Sequence, residues 1–125
     1  METKQVIVIR KDLNMRKGKM IAQGAHASAQ ICIELESQWD SDWGYPNKIY
    51  EEWKNGSQTK ICVGVSSEQE LLDAYNRATS AGIPCSIITD AGKTEFGGIP
   101  TKTSVAIGPD DAEKIDLITG KLLLL

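Results

Sequence analysis

One histidine, three cysteines and no apolar run longer than four residues set the first limits on this 125-residue chain. Cys32, Cys62 and Cys85 show no CxxC spacing, and one imidazole beside three scattered thiols makes a poor zinc site, so no metal is expected. Each cysteine sits inside an apolar pattern, which predicts buried free thiols. Four apolar residues in a row fall far short of a membrane span. The opening METKQVIVIR lacks the longer apolar core of a secretory signal, so the expected location is the cytoplasm. The patterns GxGxxG, GxxxxGK(S/T) and GxSxG are missing too, which argues against a phosphate-cradling loop and a serine-hydrolase elbow. Gly18-Lys19 resembles the end of a phosphate loop only superficially: residue 20 is Met and offers magnesium no hydroxyl.

What is present is an ordinary globular composition, 41% hydrophobic and 25% charged, at a length that suits one domain over residues 1–125. The net charge of −3 conceals an asymmetry, because residues 1–30 carry +4 and the remainder −7. Such a chain can meet a phosphate backbone at one place, with binding that weakens in salt. Charge alone favours the plainer reading, a solvated loop whose basic groups pair with nearby acids.

Residues 10–30 carry the most information. They follow Val6-Ile7-Val8-Ile9, which reads as a buried strand, pass through a basic loop at 11–18 and open a helix. At 100° per residue, Lys19, Gln23, His26 and Gln30 fall within about 60° of one another, forming one polar stripe. Ile21, Ala22, Ala25, Ala29, Cys32 and Ile33 lie on the other side, which predicts that this second face packs on a sheet. Further along, residues 61–65, 84–89 and 103–107 read as strands, and 121–125 as an edge strand. Ser67 with Glu70 predicts a capped helix closed by Gly82, and Pro109-Asp110 with Glu113 a short last helix ended near Gly120. Alternating strands and helices indicate an α/β sheet covered on both faces. Ligands gather at the carboxyl ends of strands in such sheets. The segments after the first and third strands, 10–19 and 90–98, should therefore converge.

The second of these is DAGKTEFGG. Asp90 directly follows an apolar strand, where a carboxylate is positioned and partly desolvated. Ala91-Gly92 leaves backbone N–H groups to face an anion, and Lys93 and Thr94 add a cation and a hydroxyl. Taken alone, the segment also reads as a turn in which Asp90 caps Gly92 or Lys93. Next to a Lys-Gln-His stripe it gains weight, because acid–base work needs a carboxylate near a cation and oriented donors.

VIRKDLNMRKGKMIAQGAHA resembles the N-terminal signature of the archaeal and eukaryotic type, or class 2, of peptidyl-tRNA hydrolase. DAGKT, TSVAIGP and ITGKL are similar to the same family's later signatures, as are Trp53-x-x-Gly56 and Gln58-x-Lys60. The resemblance spans residues 4–124, in order. One departure is Gly24-Ala25, where the family often has Cys-Ser. Those positions lie off the Lys19 stripe and concern helix packing more than catalysis.

The resemblance implies a cytoplasmic esterase of translation that frees tRNA from peptidyl-tRNA lost by the ribosome. It also implies a mixed, mainly parallel four-stranded sheet sandwiched between helices, a homodimer as the usual state, and no required cofactor. Its functional positions fall on Lys19, Gln23, Asp90 and Thr94, with Lys17 and His26 as neighbours. Ester hydrolysis needs an activated water and positive charge at the developing oxyanion. Asp90, with Thr94 as a candidate carrier, is assigned to orient or deprotonate the water, Lys19 to face the oxyanion and Gln23 to fix the ester, with His26 as a support. Arg10, Lys11, Arg16, Lys17 and Lys93 then become tRNA contacts. Trp39, Trp43, Tyr45, Tyr50 and Trp53 could stack on the unpaired 3′ end, although Ile49, Tyr50 and Trp53 have the spacing of helix core. Two rivals stand beside this reading: a catalytically silent RNA- or protein-binding relative, and a hydrolase of another ester or amide.

Overall fold

A computed structural model describes residues 1–93 and 95–125. Among them, β1 (Thr3–Arg10), β2 (Lys60–Val65), β3 (Cys85–Asp90), β4 (Thr101–Asp111) and β5 (Leu123–Leu124) form one sheet in the order β3-β4-β1-β2-β5. Its class matches the expected α/β domain, but its strands differ from a mainly parallel set of four. Only β1 and β2 pair in parallel; β1–β4, β3–β4 and β2–β5 are antiparallel. The reason lies in the connections. α3 (Glu68–Ser80) carries the chain from β2 to the far edge, while residues 91–100 merely turn it back, so β4 enters antiparallel between β3 and β1. The closing leucines add the fifth strand at the opposite edge. Two antiparallel steps separate β3 from β1, so both strands run the same way and their carboxyl ends lie at one end of the sheet.

Apolar residues on both faces of β1 require cover on both sides, and helices supply it. α3 and α4 (Ala112–Thr119) bury Leu71, Ala78 and Ile115 against Val6, Val8 and Val105. On the opposite face, α1 (Lys17–Glu36) and α2 (Lys48–Asn55) bury Ala27, Ile31, Tyr50 and Trp53 against Ile88 and Ala106. The Ser67 hydroxyl caps α3 by accepting the Glu70 N–H at 3.1 Å, and the Glu70 carboxylate accepts the Ser66 N–H at 3.1 Å. The last helix starts later than Pro109-Asp110 suggests: β4 runs on to Asp111, which caps α4 through the Glu113 N–H at 3.2 Å.

Two sequence expectations are corrected. α1 buries Gln23, Gly24, Ala27, Ser28, Ile31 and Leu35, whereas Ile21, Ala22, Ala25, Ala29 and Ile33 face outward and Cys32 is half-buried. The sheet beneath α1 presents polar groups, and these help choose the face. Ser104 donates to the Gln23 carbonyl at 2.9 Å, Ser86 to the Ala27 carbonyl at 2.7 Å, and Ser28 to the Gln5 amide oxygen at 2.6 Å. Small residues let helix and sheet approach this closely; a Cβ on Gly24 would stand 3.3 Å from Ile7 Cγ2. Among the thiols, Cys62 is exposed and Cys32 and Cys85 are only half-buried. α1 and α2 pack mainly on β1, β3 and β4, leaving the Cys62 side of β2 open.

Candidate active site

The chain brings its two unusual segments together at the shared carboxyl end of β1 and β3. Lys19 stands in the first turn of α1, Gln23 one turn later, and Asp90 is the last residue of β3. Lys19 Nζ donates to Asp90 Oδ1 at 2.9 Å, and Gln23 Nε2 donates to the same oxygen at 3.3 Å. The Gly92 N–H occupies Oδ2 at 2.8 Å. The turn expected of Asp90 thus exists alongside the contacts that chemistry needs. The Lys19 ammonium, the Gly92 N–H and the Gln23 amide hold the Asp90 carboxyl below its ordinary range against a smaller opposing effect of burial, so it is ionised at neutral pH. Side-chain exposures of 16% and 15% for Lys19 and Asp90 leave room for water while screening the pair less than at an open surface.

Gly92 is required where it stands. Its φ is +79°, and a Cβ there would lie 2.3 Å from the Ile99 carbonyl oxygen. The Gly98 N–H closes the same loop by donating to the Gly92 carbonyl at 2.8 Å. Phe96 from this loop packs against the cluster of Ile7, Ile9 and Met15, and its ring centroid lies 5.7 Å from Lys19 Nζ. Thr94 lies outside the described residues.

Thr103, which sequence reasoning did not single out, sets the orientation of Gln23. Its fully buried hydroxyl donates to Gln23 Oε1 at 2.5 Å, so the amide nitrogen must face Asp90. The available signal was weak: Thr103 and Ser104 lead into the apolar Val105-Ala106-Ile107 of β4, where a buried hydroxyl needs a partner. Phe96, the chain's one phenylalanine, was missed as well.

The basic residues divide by what surrounds them. The Arg10 guanidinium is engaged: Nε and Nη2 donate to the Asp12 carboxylate at 3.1 and 2.6 Å, and Nη1 to the Lys102 carbonyl at 3.0 Å. It holds the Asp12 carboxyl below its ordinary value and braces the loop after β1. The Lys11 stem lies over Gly64, where a Cβ would meet Lys11 Cδ at 2.7 Å, and the residue is exposed. Arg16, Lys17 and Lys93 are exposed, the first two at the start of α1 and the third beside Gly92. His26 is exposed one turn beyond Gln23, while among the described residues the hydrogen bonds to the Asp90 carboxylate come from Lys19, Gln23 and Gly92.

Of the five aromatics considered for stacking, Tyr45, Tyr50 and Trp53 are core and Trp39 and Trp43 are exposed. The Tyr45 and Tyr50 hydroxyls donate to the Glu36 carboxylate, the latter at 2.6 Å, and Lys54 Nζ joins at 2.9 Å. Together they bring the Glu36 carboxyl down to about 2. Among the described residues no group of three His, Cys, Asp or Glu is placed to hold a metal ion, and no helix is long and apolar enough to cross a membrane.

Comparison with known proteins joins this geometry to a lineage. Residues 3–125 match the family described as Peptidyl-tRNA hydrolase PTH2. The peptidyl-tRNA hydrolase of Methanocaldococcus jannaschii is 51% identical over 122 residues, 98% of this chain and 99% of that one. That of Sulfolobus acidocaldarius is 42% identical over 123 residues, with 98% and 99% covered. That of Sulfurisphaera tokodaii is 42% identical over 125 residues, the whole of both chains. Agreement over the full length, including both segments that build the Lys19–Asp90 site, leaves one conclusion: the chain belongs to the peptidyl-tRNA hydrolase PTH2 family.

Proposed function

We propose that this protein is a peptidyl-tRNA hydrolase, cleaving the ester that joins the peptide to the 3′-terminal ribose and returning free tRNA to translation. The observation that carries the reading is the Lys19–Gln23–Asp90 cluster, within a full-length match to relatives named for that activity. Water attacks the ester carbonyl, the carbon–oxygen bond to the ribose breaks, and the products are a peptide acid and a ribose hydroxyl. A carboxylate held below its ordinary range is a weak proton acceptor, so Asp90 acts chiefly by orienting the water and holding Lys19 in place. The Lys19 ammonium faces the charge that develops on the carbonyl oxygen, and the Gln23 amide, fixed by Thr103, positions the ester. Thr94 belongs to the same proposal as a carrier of the water, and His26 as a support of the site.

The substrate's phosphates fit the basic start of α1. Arg16, Lys17 and Lys93 are exposed around Lys19 and Asp90 and suit direct phosphate contact, with Lys11 alongside. Arg10 contributes by bracing that loop as well as by its charge. A homodimer belongs to the reading because Ile21, Ala25, Ala29 and Ile33 form an outward apolar row at i, i+4 spacing along α1, with Ile21 72% and Ile33 64% exposed. A translational substrate places the enzyme in the cytoplasm. The deciding experiment is incubation of metal-stripped protein with N-acetylaminoacyl-tRNA and with free aminoacyl-tRNA. Release of the blocked amino acid with the free one spared is expected; no release, or release only on adding divalent metal, overturns the reading.

A further inference from the structure

We propose that the open edge of β3 binds the peptide portion of the substrate as an added strand, parallel to β3 and running from Asp90 back toward Gly82. The inference rests on the peptidyl-ester reading above and deepens it by assigning the peptide a place. β3 is an outer strand of the sheet, paired with β4. Hydrogen-bonded pairs alternate along an antiparallel ladder. The Gly108 N–H bonds the Pro84 carbonyl at 2.7 Å, so Ser86 and Ile88 bond inward and Cys85 and Ile87 turn their N–H and C=O groups outward. Residues 85–88 carry neither a lysine nor a proline, the usual devices that blunt an exposed edge.

The space beside this edge is shaped as a trough. A cavity of about 420 Å³ lies between the β3 edge and His26, Gln30 and Glu34 of α1, with Tyr75 of α3 on the opposite wall. It shares Glu34, Tyr75 and Cys85 with a second cavity of about 420 Å³ that continues to Thr79 and Gly82. Its near end reaches Thr89, next to Asp90, and His26, one turn from Gln23. The trough therefore begins at the site where the ester must sit.

That starting point fixes the direction. The peptide's carboxyl carbon is the one attacked at Asp90, and Asp90 is also the carboxyl end of β3, so the two chains run parallel. At about 3.3 Å per residue the edge accommodates four or five peptide residues. Pairing through the main chain ignores side-chain identity, which suits a hydrolase that meets peptides of many sequences. The two halves of the substrate then leave the site in opposite directions along α1. The tRNA goes toward Arg16 and Lys17, and the peptide toward Gln30 and Glu34.

The test uses the unaltered protein and a series of blocked substrates, from N-acetylaminoacyl-tRNA to N-acetylated tetra- and hexapeptidyl-tRNA. KM should fall about tenfold or more by the tetrapeptide and then level off, with kcat little changed, as two or three net main-chain hydrogen bonds imply. N-methylation along the peptide should restore the higher KM at alternate residues only. With a non-cleavable peptidyl-adenosine amide bound, hydrogen exchange should slow at the Cys85 and Ile87 amides. A KM independent of length, or N-methyl effects without the period of two, overturns the added strand while leaving the hydrolase reading intact. Length dependence without protection of those two amides places the peptide elsewhere and also overturns it. Concentration-dependent protection in the free protein would show a second copy on the edge and likewise overturn it. Failure to cleave even N-acetylaminoacyl-tRNA overturns both readings.

Discussion

Gln23 is buried, and its amide has one useful orientation because Thr103 claims the oxygen. Under the function proposed above, a side chain so fixed loses little freedom on meeting the ester, so the buried Thr103 hydroxyl should act on rate through Gln23. Thr103→Val should lower kcat by about tenfold and reduce stability by about 1–3 kcal/mol, because it leaves a buried acceptor without its donor. Thr103→Ser should recover most of both in steady-state kinetics and thermal unfolding; a rate loss that Ser does not recover assigns Thr103 to packing. Asp90 gives a prediction in pH. Its folded-state carboxyl lies below the ordinary value of 3.8, so it remains charged well into the acid range. kcat/KM should therefore stay level as pH falls from about 7 to about 5, with loss only below the carboxylate range. An inflection where imidazoles titrate would transfer the decisive proton to His26.

At the scale of elements, α1 teaches the most. Its polar stripe was readable at Lys19 and Gln23 because the stripe ends at the site, yet its buried face was not. The helix carries alanine and isoleucine outside and Gln23, Gly24 and Ser28 inside, so apolar periodicity points to the wrong side. The sheet's own hydroxyls, Ser86, Thr103 and Ser104, help decide the docking beside Ala27, Ile31 and Leu35, and the polar part of this mixed seam leaves no hydrophobic trace in the sequence. α2 is tied to α1 through Glu36, which accepts from Tyr45, Tyr50 and Lys54. The folded-state value of about 2 lies below the ordinary 4.5, so the stabilisation is complete above about 4.5 and fades as pH falls toward about 2. Glu36→Gln should lower Tm at neutral pH and flatten its dependence on pH across that window. A wild-type slope retained in the variant would show that other carboxylates carry it.

At the scale of the molecule, charge and topology act together. The α/β class and the meeting of residues 10–19 with 90–98 followed from alternating elements and from ligands gathering at strand ends. The antiparallel entry of β4 did not, because a turn of ten residues and a crossover look alike until the loop's own closure through Gly92 and Gly98 is seen. The +4 of residues 1–30 is concentrated beside the site at Arg16, Lys17 and Lys19, in a chain otherwise negative. Arg16→Ala and Lys17→Ala should each reduce the log–log salt dependence of tRNA binding by up to about one unit, with turnover at saturation little changed. An unchanged slope in the double variant places the tRNA on another surface.

The central claim is that Lys19 and Asp90 together cleave the peptidyl ester. Its most direct test is the kcat of Lys19→Ala and Asp90→Asn on N-acetylaminoacyl-tRNA, measured beside their denaturant midpoints. Each variant should lose about 100- to 1,000-fold in kcat, the usual effect of removing one charge-stabilising group. Their midpoints should fall only modestly, because the ion pair they break stands partly open to water at the end of the sheet. Near-normal turnover by either folded variant would contradict the account.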